Sequence, residues 1–416
     1  MSNPLGRNGH ENGTPPDNLS AILTQFSIDG IPLEGRLQQL AAKHNYVIGR
    51  TKLIALNKKY KVTSARKPPA EHIATSLIAK QMSENVTGTN GPNTIQKRVA
   101  IVDGIVLSRR VVRSTMRALD PHGAERRFPS KQPTKKRSTL TDVGVYYELH
   151  FDGHEKLNFK ALQMGRAGID MYGGRCHGSG SVLLLDVVPN ARCGITVGHL
   201  YLDLVEETGE IPIQVTVDGG TETHYMFQLH QQLRAQFAPE LSIDEAPATV
   251  ALKSSDNIPI EALWSYLLKF IGHDLKAVIL LGKEKNYLNI TNDIHIDLFH
   301  WLWSRIVKQA TDQFKIYWNT HKTRRQSAKH LPSGVSPRQV FDNPQNYGLY
   351  HAGIKVDIHA VRELRNTLPK SRVDCFRWVS DEFDVQAQLA YNLLGSPKLS
   401  ISGGWTIYTN MLSLLM

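Results

Sequence analysis

Between Glu148 and Phe159 the chain reads ELHFDGHEKLNF, with His150, Asp152 and His154 at every second position. On a strand, that spacing points all three side chains to one face, and two chemistries are open to them. One is a zinc or iron site begun by the two imidazoles. It requires further ligands, and the later histidines His224, His230, His295 and His300 fall singly or inside helical patterns. The other joins Asp152 to acids from later elements. Asp218 closes VTVDGG, and Glu261 falls in the first turn of a helix that begins at Pro259. Three carboxylates together with phosphate oxygens are the donors that hard cations such as Mg2+ or Mn2+ take.

Such acids must be held by a sheet. VGVYYELHFDG, ALQMGRAGIDMYGG and GSVLLLDVV predict three antiparallel strands. A helix (VGHLYLDLVEETG), a strand (IPIQVTVDGG), a helix (ETHYMFQLHQQLRAQF), a short strand (ATVALKSS) and a helix (PIEALWSYLLKFIG) follow. The pattern implies a mixed sheet flanked by helices, in which carboxylates at separate strand ends converge. Trp264, Trp301, Trp303 and Trp318 recur at helical spacing among Leu and Phe and are expected in the core. GTNGPN and MYGGRCHGSGS are glycine-rich but lack the Lys-Ser/Thr ending of a phosphate-binding loop.

Before residue 140 the chain is different. Residues 1–140 carry 23 Lys+Arg against 9 Asp+Glu, a net charge of +14, and the remaining residues carry a net −3. A basic module joined to a near-neutral body suits a polyanion, because neutralising phosphates releases condensed counterions. Residues 1–16 are expected to be disordered. DNLSAILTQFSIDG, LEGRLQQLAAKHN and GRTKLIALNKKYKV predict three short helices with tight connections, a helix-turn-helix-like unit over 17–66 with Lys52, Lys58 and Lys59 on its last helix. A second such cycle over 67–120 ends in LSRRVVRSTMRALD. There Arg109, Arg113 and Arg117 recur every four residues beside Arg110, and Val111, Val112, Met116 and Leu119 are expected to pack on the other side. Both basic groups are candidate DNA contacts. Residues 121–142 read as an extended basic linker with Pro121, Pro129 and Pro133, and KKR at 135–137 is a short candidate for nuclear import or phosphate tracking.

The polar start and the lack of any apolar run near the roughly 18 residues that span a bilayer predict an intracellular protein with no membrane partner. The expected compartment is the nucleus. Cys176, Cys193 and Cys375 are too few and too dispersed for a disulfide framework or a thiolate zinc site.

Taken in order, HFDGHEKLNF, AGIDMYGGR, GEIPIQVTVDGGTETH and DNIPIEALWSYL resemble the Asp-Asp-Glu integrase core, and in particular the integrase-like proteins abundant in basidiomycete genomes. FKIYWNTHKTRR and KHLPSGVSPRQVF are similar to the helical segment that follows that core, and the resemblance extends over nearly the whole chain. It implies a ribonuclease-H-like core over 143–275, a helical extension over 276–345 and a C-terminal region over 346–416. It also implies that Asp152, Asp218 and Glu261, with 65 and 42 residues between them, are the metal ligands and catalytic acids. Two divalent ions, Mg2+ or Mn2+, about 4 Å apart would serve in-line phosphodiester displacement. The implied activity is cleavage of DNA strands and joining of 3′-hydroxyl ends to target DNA by a homo-oligomer assembled on double-stranded DNA. A DNA-binding protein without catalysis and a nuclease without joining are the alternatives. The long second interval implies an enlarged loop, APELSIDEAPAT, near the active site; Glu222 is a candidate support for the ligands, and the basic loop THKTRRQSAKH, with Lys322, Arg324, Arg325 and Lys329, is a candidate DNA contact. The His-His-Cys-Cys zinc module of retroviral integrases is absent from the sequence.

Overall fold

The computed structural model describes residues 13–127, 144–242, 244, 246–253, 256–326 and 330–416, with only the backbone of 125 and 126. Most of the expected disordered start (1–12), most of the basic linker (128–142) with its KKR, and Lys329 lie outside the described residues. The chain divides into two compact units, Met1–Met82 with Asn90–Pro129, and Ser83–Thr89 with Ser130–Met416.

Two groups of helices build the first unit. Helices α1 (Leu19–Ile28), α2 (Leu33–His44) and α3 (Arg50–Lys59) enclose Leu19, Leu23, Phe26, Leu40, Leu53 and Leu56. Asn45 ends α2 in the left-handed region, at φ 47°, a conformation that Asn tolerates better than most side chains. Helices α4 (Glu71–Ser83), α5 (Pro92–Asp103) and α6 (Arg109–Leu119) enclose Ile78, Ile95, Val99, Val112 and Met116, and a short α7 (Gly123–Arg127) follows. Ser108 caps α6 by accepting the Val111 N–H at 3.3 Å. Burial of Val112 and Met116, four residues apart, turns Arg109, Arg113 and Arg117 outward.

The second unit is a sheet between helical layers. Its chain order begins β1 (Gly144–Val145), β2 (Glu148–His154), α8 (Phe159–Leu162), β3 (Asp170–Cys176), β4 (Val182–Val188), α9 (Gly194–Thr208), β5 (Glu210–Ile211), β6 (Gln214–Asp218), α10 (His224–Phe237), β7 (Thr249–Leu252) and α11 (Ile258–Leu267). Five strands lie in the order β4-β3-β2-β6-β7, with β3 antiparallel to both its neighbours β4 and β2, and β6 and β7 parallel to β2. This is the mixed, helix-flanked sheet of a ribonuclease-H-like core that the sequence predicts. Alternation sorts the faces. Leu149, Phe151, Val215 and Val217 join a core with α9 and α10, while Met171, Leu185 and Val187 join one with α11 and the helices after it. The Tyr-Gly-Gly of β3 has a steric reason, since a Cβ on Gly173 would lie 2.6 Å from the Trp264 ring and one on Gly174 2.5 Å from the Phe151 ring. The two glycines let one aromatic ring approach the backbone closely on each face.

A single π turn, Leu268–Gly272, leads from α11 to α12 (His273–Glu284) and then to α13 (Asp293–Thr320). The end of α13 covers the edge strand β4. Asn319 accepts the Val182 N–H and donates to the Val182 carbonyl, both at 2.8 Å, and the Trp318 indole donates to Gly180 O at 2.8 Å. The Trp-Asn pair thus closes a sheet edge. Beyond it come α14 (Pro337–Asp342), β8 (Tyr350–His351), β9 (Ile354–Lys355), α15 (Ile358–Asn366), α16 (Arg372–Cys375), α17 (Asp381–Leu393) and α18 (Gly404–Leu415). β8 pairs with β1 and β9 with β5, α15 and α16 pack on α9, and α17 and α18 pack on α13. The C-terminal residues therefore cover both helical layers of this unit.

One expectation is corrected. The stretch APELSIDEAPAT leads into β7 beside Val215, because Val215 pairs with Thr249 and Asp218 with Leu252 in parallel register. It therefore enters at the end of the sheet opposite Asp218. Among the described residues, no helix is long and apolar enough to cross a membrane.

Candidate active site

Asp152 lies on β2 opposite Gly173 of β3, on the face covered by α11. The space above Gly173 is filled by Trp264, whose indole N–H donates to Asp152 Oδ2 at 2.7 Å. Glu261 stands three residues earlier on α11, in its first turn and exposed. Residues three apart share a helix face, so the helix that reaches Asp152 through Trp264 also brings Glu261 to that side of the sheet. Asp218 ends β6, and its Oδ1 accepts the Gly220 N–H at 3.3 Å.

The electrostatics tie the three acids together. Burial pushes the Asp152 carboxyl up, the charges of Asp218 and Glu261 push it further, and the Trp264 and Gly153 N–H groups oppose this only partly, leaving it at about 7. A half-buried carboxyl pressed by two like charges is short of a cation. Glu222 lies in the turn after Asp218, folded over Gly220 so closely that a Cβ there would meet its Oε1 at 2.1 Å.

His150 and His154 do not join Asp152. His154 stacks on Trp264 with ring centroids 4.7 Å apart, and burial, with Lys156 nearby, lowers it to about 4, so it is a neutral packing group at pH 7. His150 turns to Asn257, Glu148 and His177. Among the described residues, the one group of three or more His, Cys, Asp or Glu with ligand atoms all within 4.8 Å of one another is Glu148, His150 and His177. The metal-like cluster that includes a histidine of the opening motif therefore excludes Asp152, and the three acids are spaced more widely than this cluster.

Glu148, His177, Asn257 and Trp264 are the polar partners that sequence reasoning missed. Glu148 extends the alternation of His150 and Asp152 by one step, a signal that was present. His177 sits in a glycine-rich turn, Asn257 in the approach to α11, and Trp264 reads as core by its spacing. Trp264, Trp301, Trp303 and Trp318 are indeed buried.

The basic candidates lie elsewhere. Arg109, Arg110, Arg113 and Arg117, with Ser114 and Ala118, line one surface groove on α6. Lys52, Lys58 and Lys59 are exposed on α3, and Lys322, Arg324 and Arg325 are exposed after α13.

Residues 148–345 match the family described as integrase core domain. No curated protein matches the chain. The matched segment starts at the first residue of β2 and includes Asp152, Asp218 and Glu261. It supports assignment of this part of the chain to an integrase-like superfamily, of the polynucleotidyl-transferase type.

Proposed function

We propose that the protein is a metal-dependent DNA integrase or transposase of the Asp-Asp-Glu type, cleaving DNA strands and joining 3′-hydroxyl ends to target DNA. The observation that carries this reading is the segment that matches an integrase core, within which α11 bears Glu261 and reaches Asp152 through the Trp264 N–H. The donor set fits Mg2+ or Mn2+, being all carboxylate oxygen. Asp152, Asp218 and Glu261 would hold two such ions, which supply activation of the attacking oxygen and neutralisation of the leaving oxygen. Asp152 is the pivotal ligand because the charges of both other acids act on its carboxyl. Trp264 fixes its rotamer through Oδ2, and the proton it holds near pH 7 must leave for a cation to bind.

Double-stranded DNA, as element ends and as target, is the partner. The first unit would grip it in helix-turn-helix fashion, with phosphates met by Arg109, Arg110, Arg113 and Arg117 on α6 and by Lys52, Lys58 and Lys59 on α3. Joining two ends to one target calls for a homo-oligomer on DNA, and the substrate sets the compartment as the nucleus.

The test compares wild type with Asp152→Asn on a random-sequence duplex pool with supercoiled target and Mn2+. Removing an ion ligand that contributes several kcal/mol in the transition state should lower cleavage and joining more than about a hundredfold, with DNA binding retained. Equal activity in both proteins excludes Asp152 as a ligand. Cleavage without joining reduces the assignment to a nuclease, and tight binding without either reduces it to a DNA-binding protein. Replacing Arg109, Arg113 and Arg117 together by Ala should weaken binding and flatten its dependence on salt, by about one unit of slope for each phosphate that is no longer neutralised.

A further inference from the structure

Glu148, His150 and His177 come from two neighbouring elements. Glu148 and His150 precede Asp152 on the same face of β2, and the turn between β3 and β4 folds His177 against them, with the His177 N–H bonded to Glu148 O at 3.0 Å. Their side-chain atoms converge. His177 Nδ1 is 2.7 Å from Glu148 Oε2, His150 Nε2 is 3.0 Å from His177 Nδ1, and His150 Nε2 is 3.3 Å from Glu148 Oε1. Four donors around a zinc ion at about 2.0–2.1 Å stand about 3.3 Å from one another. The three spacings run from somewhat under that edge to the edge itself, with the carboxylate presenting one oxygen to each imidazole.

The surroundings set the right lone pairs. The Asn257 amide donates through Nδ2 to Phe151 O at 3.2 Å, so its Oδ1 faces His150 and accepts the Nδ1–H at 2.7 Å. Neutral His150 then carries its lone pair on Nε2, the atom aimed at the cluster. Thr216 and Gln214 donate to Glu148 Oε1 at 2.6 and 3.2 Å and fix the carboxylate. Hydrogen bonds of this kind, behind the ligands, orient metal-binding imidazoles and carboxylates. Both carboxylate oxygens of Glu148 lie against the His150 and His177 imidazoles, at the point where the three donors meet.

We infer that the Glu148 carboxylate, His150 Nε2 and His177 Nδ1 bind one zinc-like transition-metal ion, with solvent as the fourth ligand, at a site distinct from the carboxylates of Asp152, Asp218 and Glu261. Two imidazoles with one carboxylate select Zn2+ or Co2+ over Mg2+, whereas the all-oxygen set has the opposite preference. The ion pins the β3–β4 turn to β2. Through Asn257 it also anchors the start of α11, the helix that carries Glu261. This inference does not depend on the chain being catalytic.

The full chain, stripped with chelator and desalted after exposure to Zn2+ or Co2+, gives the test. One ion per chain is expected by elemental analysis, with the intense visible absorption of four-coordinate Co2+ and a raised melting temperature. His177→Ala should lose the ion. Asn257→Ala should weaken binding about 10- to 100-fold by freeing the His150 ring. Asp152→Asn should keep the ion while losing Mn2+ bound at the acids. Wild type that is folded by circular dichroism yet retains no more Zn2+ or Co2+ than His177→Ala overturns the inference. So does loss of the Zn2+ or Co2+ ion in Asp152→Asn, which would place it at the acids instead.

Discussion

Glu148 and Asp152 stand four residues apart on one face of one strand, and their carboxyl groups are pushed in opposite directions. Both are partly buried. Glu148 meets two imidazoles, a hydroxyl and an amide, and is held ionised. Asp152 meets two other acids and one indole N–H, and is pushed to about 7. Burial alone would raise both, so the difference lies in the neighbours. One end of the strand is set among groups that favour its charge, and the other among groups mainly of like charge.

Substitution to the amide should therefore act with opposite sign at the two positions. Glu148→Gln removes one partner of a buried cluster and should destabilise the protein by about 3 kcal/mol, measured by denaturant unfolding at pH 7. Because its folded pKa is depressed, the stability Glu148 contributes is present above the usual carboxylate range and is lost as pH falls through and below that range. A variant as stable as wild type would mean that the cluster carries no net interaction.

Asp152→Asn should raise stability in metal-free buffer. The folded pKa of about 7 lies above the unfolded value, so the folded state binds more protons between about pH 4 and 7. Wild-type stability should fall as pH rises through that window, by about 2–4 kcal/mol, and the Asn variant should not show the fall. Unfolding curves at pH 5 and pH 8 for both proteins check this. The same proton makes Mg2+ or Mn2+ binding to wild type tighten with rising pH and level off above about 7, which isothermal titration at several pH values reads directly. Parallel pH profiles for the two proteins would place the strain elsewhere.

The framework of this contrast was legible in the sequence, and the contrast itself was not. Strict alternation in ELHFDGH exposes the shared face, and the apolar runs around Leu184 and Val217 expose the buried strands, because periodicity is local. Asp152, Asp218 and Glu261 are named by their places at strand ends and in a first helical turn. What decides the state of each acid is long-range. His177 lies 29 residues from Glu148, and Trp264 lies 112 from Asp152. After His177 the turn shows only Gly and Ser in sequence, and a tryptophan at core spacing does not announce where its N–H points. The enlarged loop was misplaced for the same reason, since only the parallel register of β6 and β7 fixes the end at which it enters.

The smallest effect isolates that N–H. Trp264→Phe keeps an aromatic ring over Gly173 and against His154 but removes the donor to Asp152 Oδ2. A hydrogen bond to a charged group contributes about 1.5–3 kcal/mol, equivalent to about 1–2 pKa units. The bond favours the ionised form, so its loss should raise the Asp152 pKa further and move the upper end of the pH-dependent stability loss from about 7 to about 8 or higher. Subtracting the profile of the Trp264→Phe, Asp152→Asn double variant from that of Trp264→Phe alone removes the cost of the smaller ring, which does not titrate. The shift survives that subtraction only if the indole N–H acts on Asp152 itself. A midpoint still near 7 would show that burial and the two neighbouring acids set the state of Asp152 without help from α11. Glu261 would then share a helix with a packing residue rather than with the group that aims the central carboxylate.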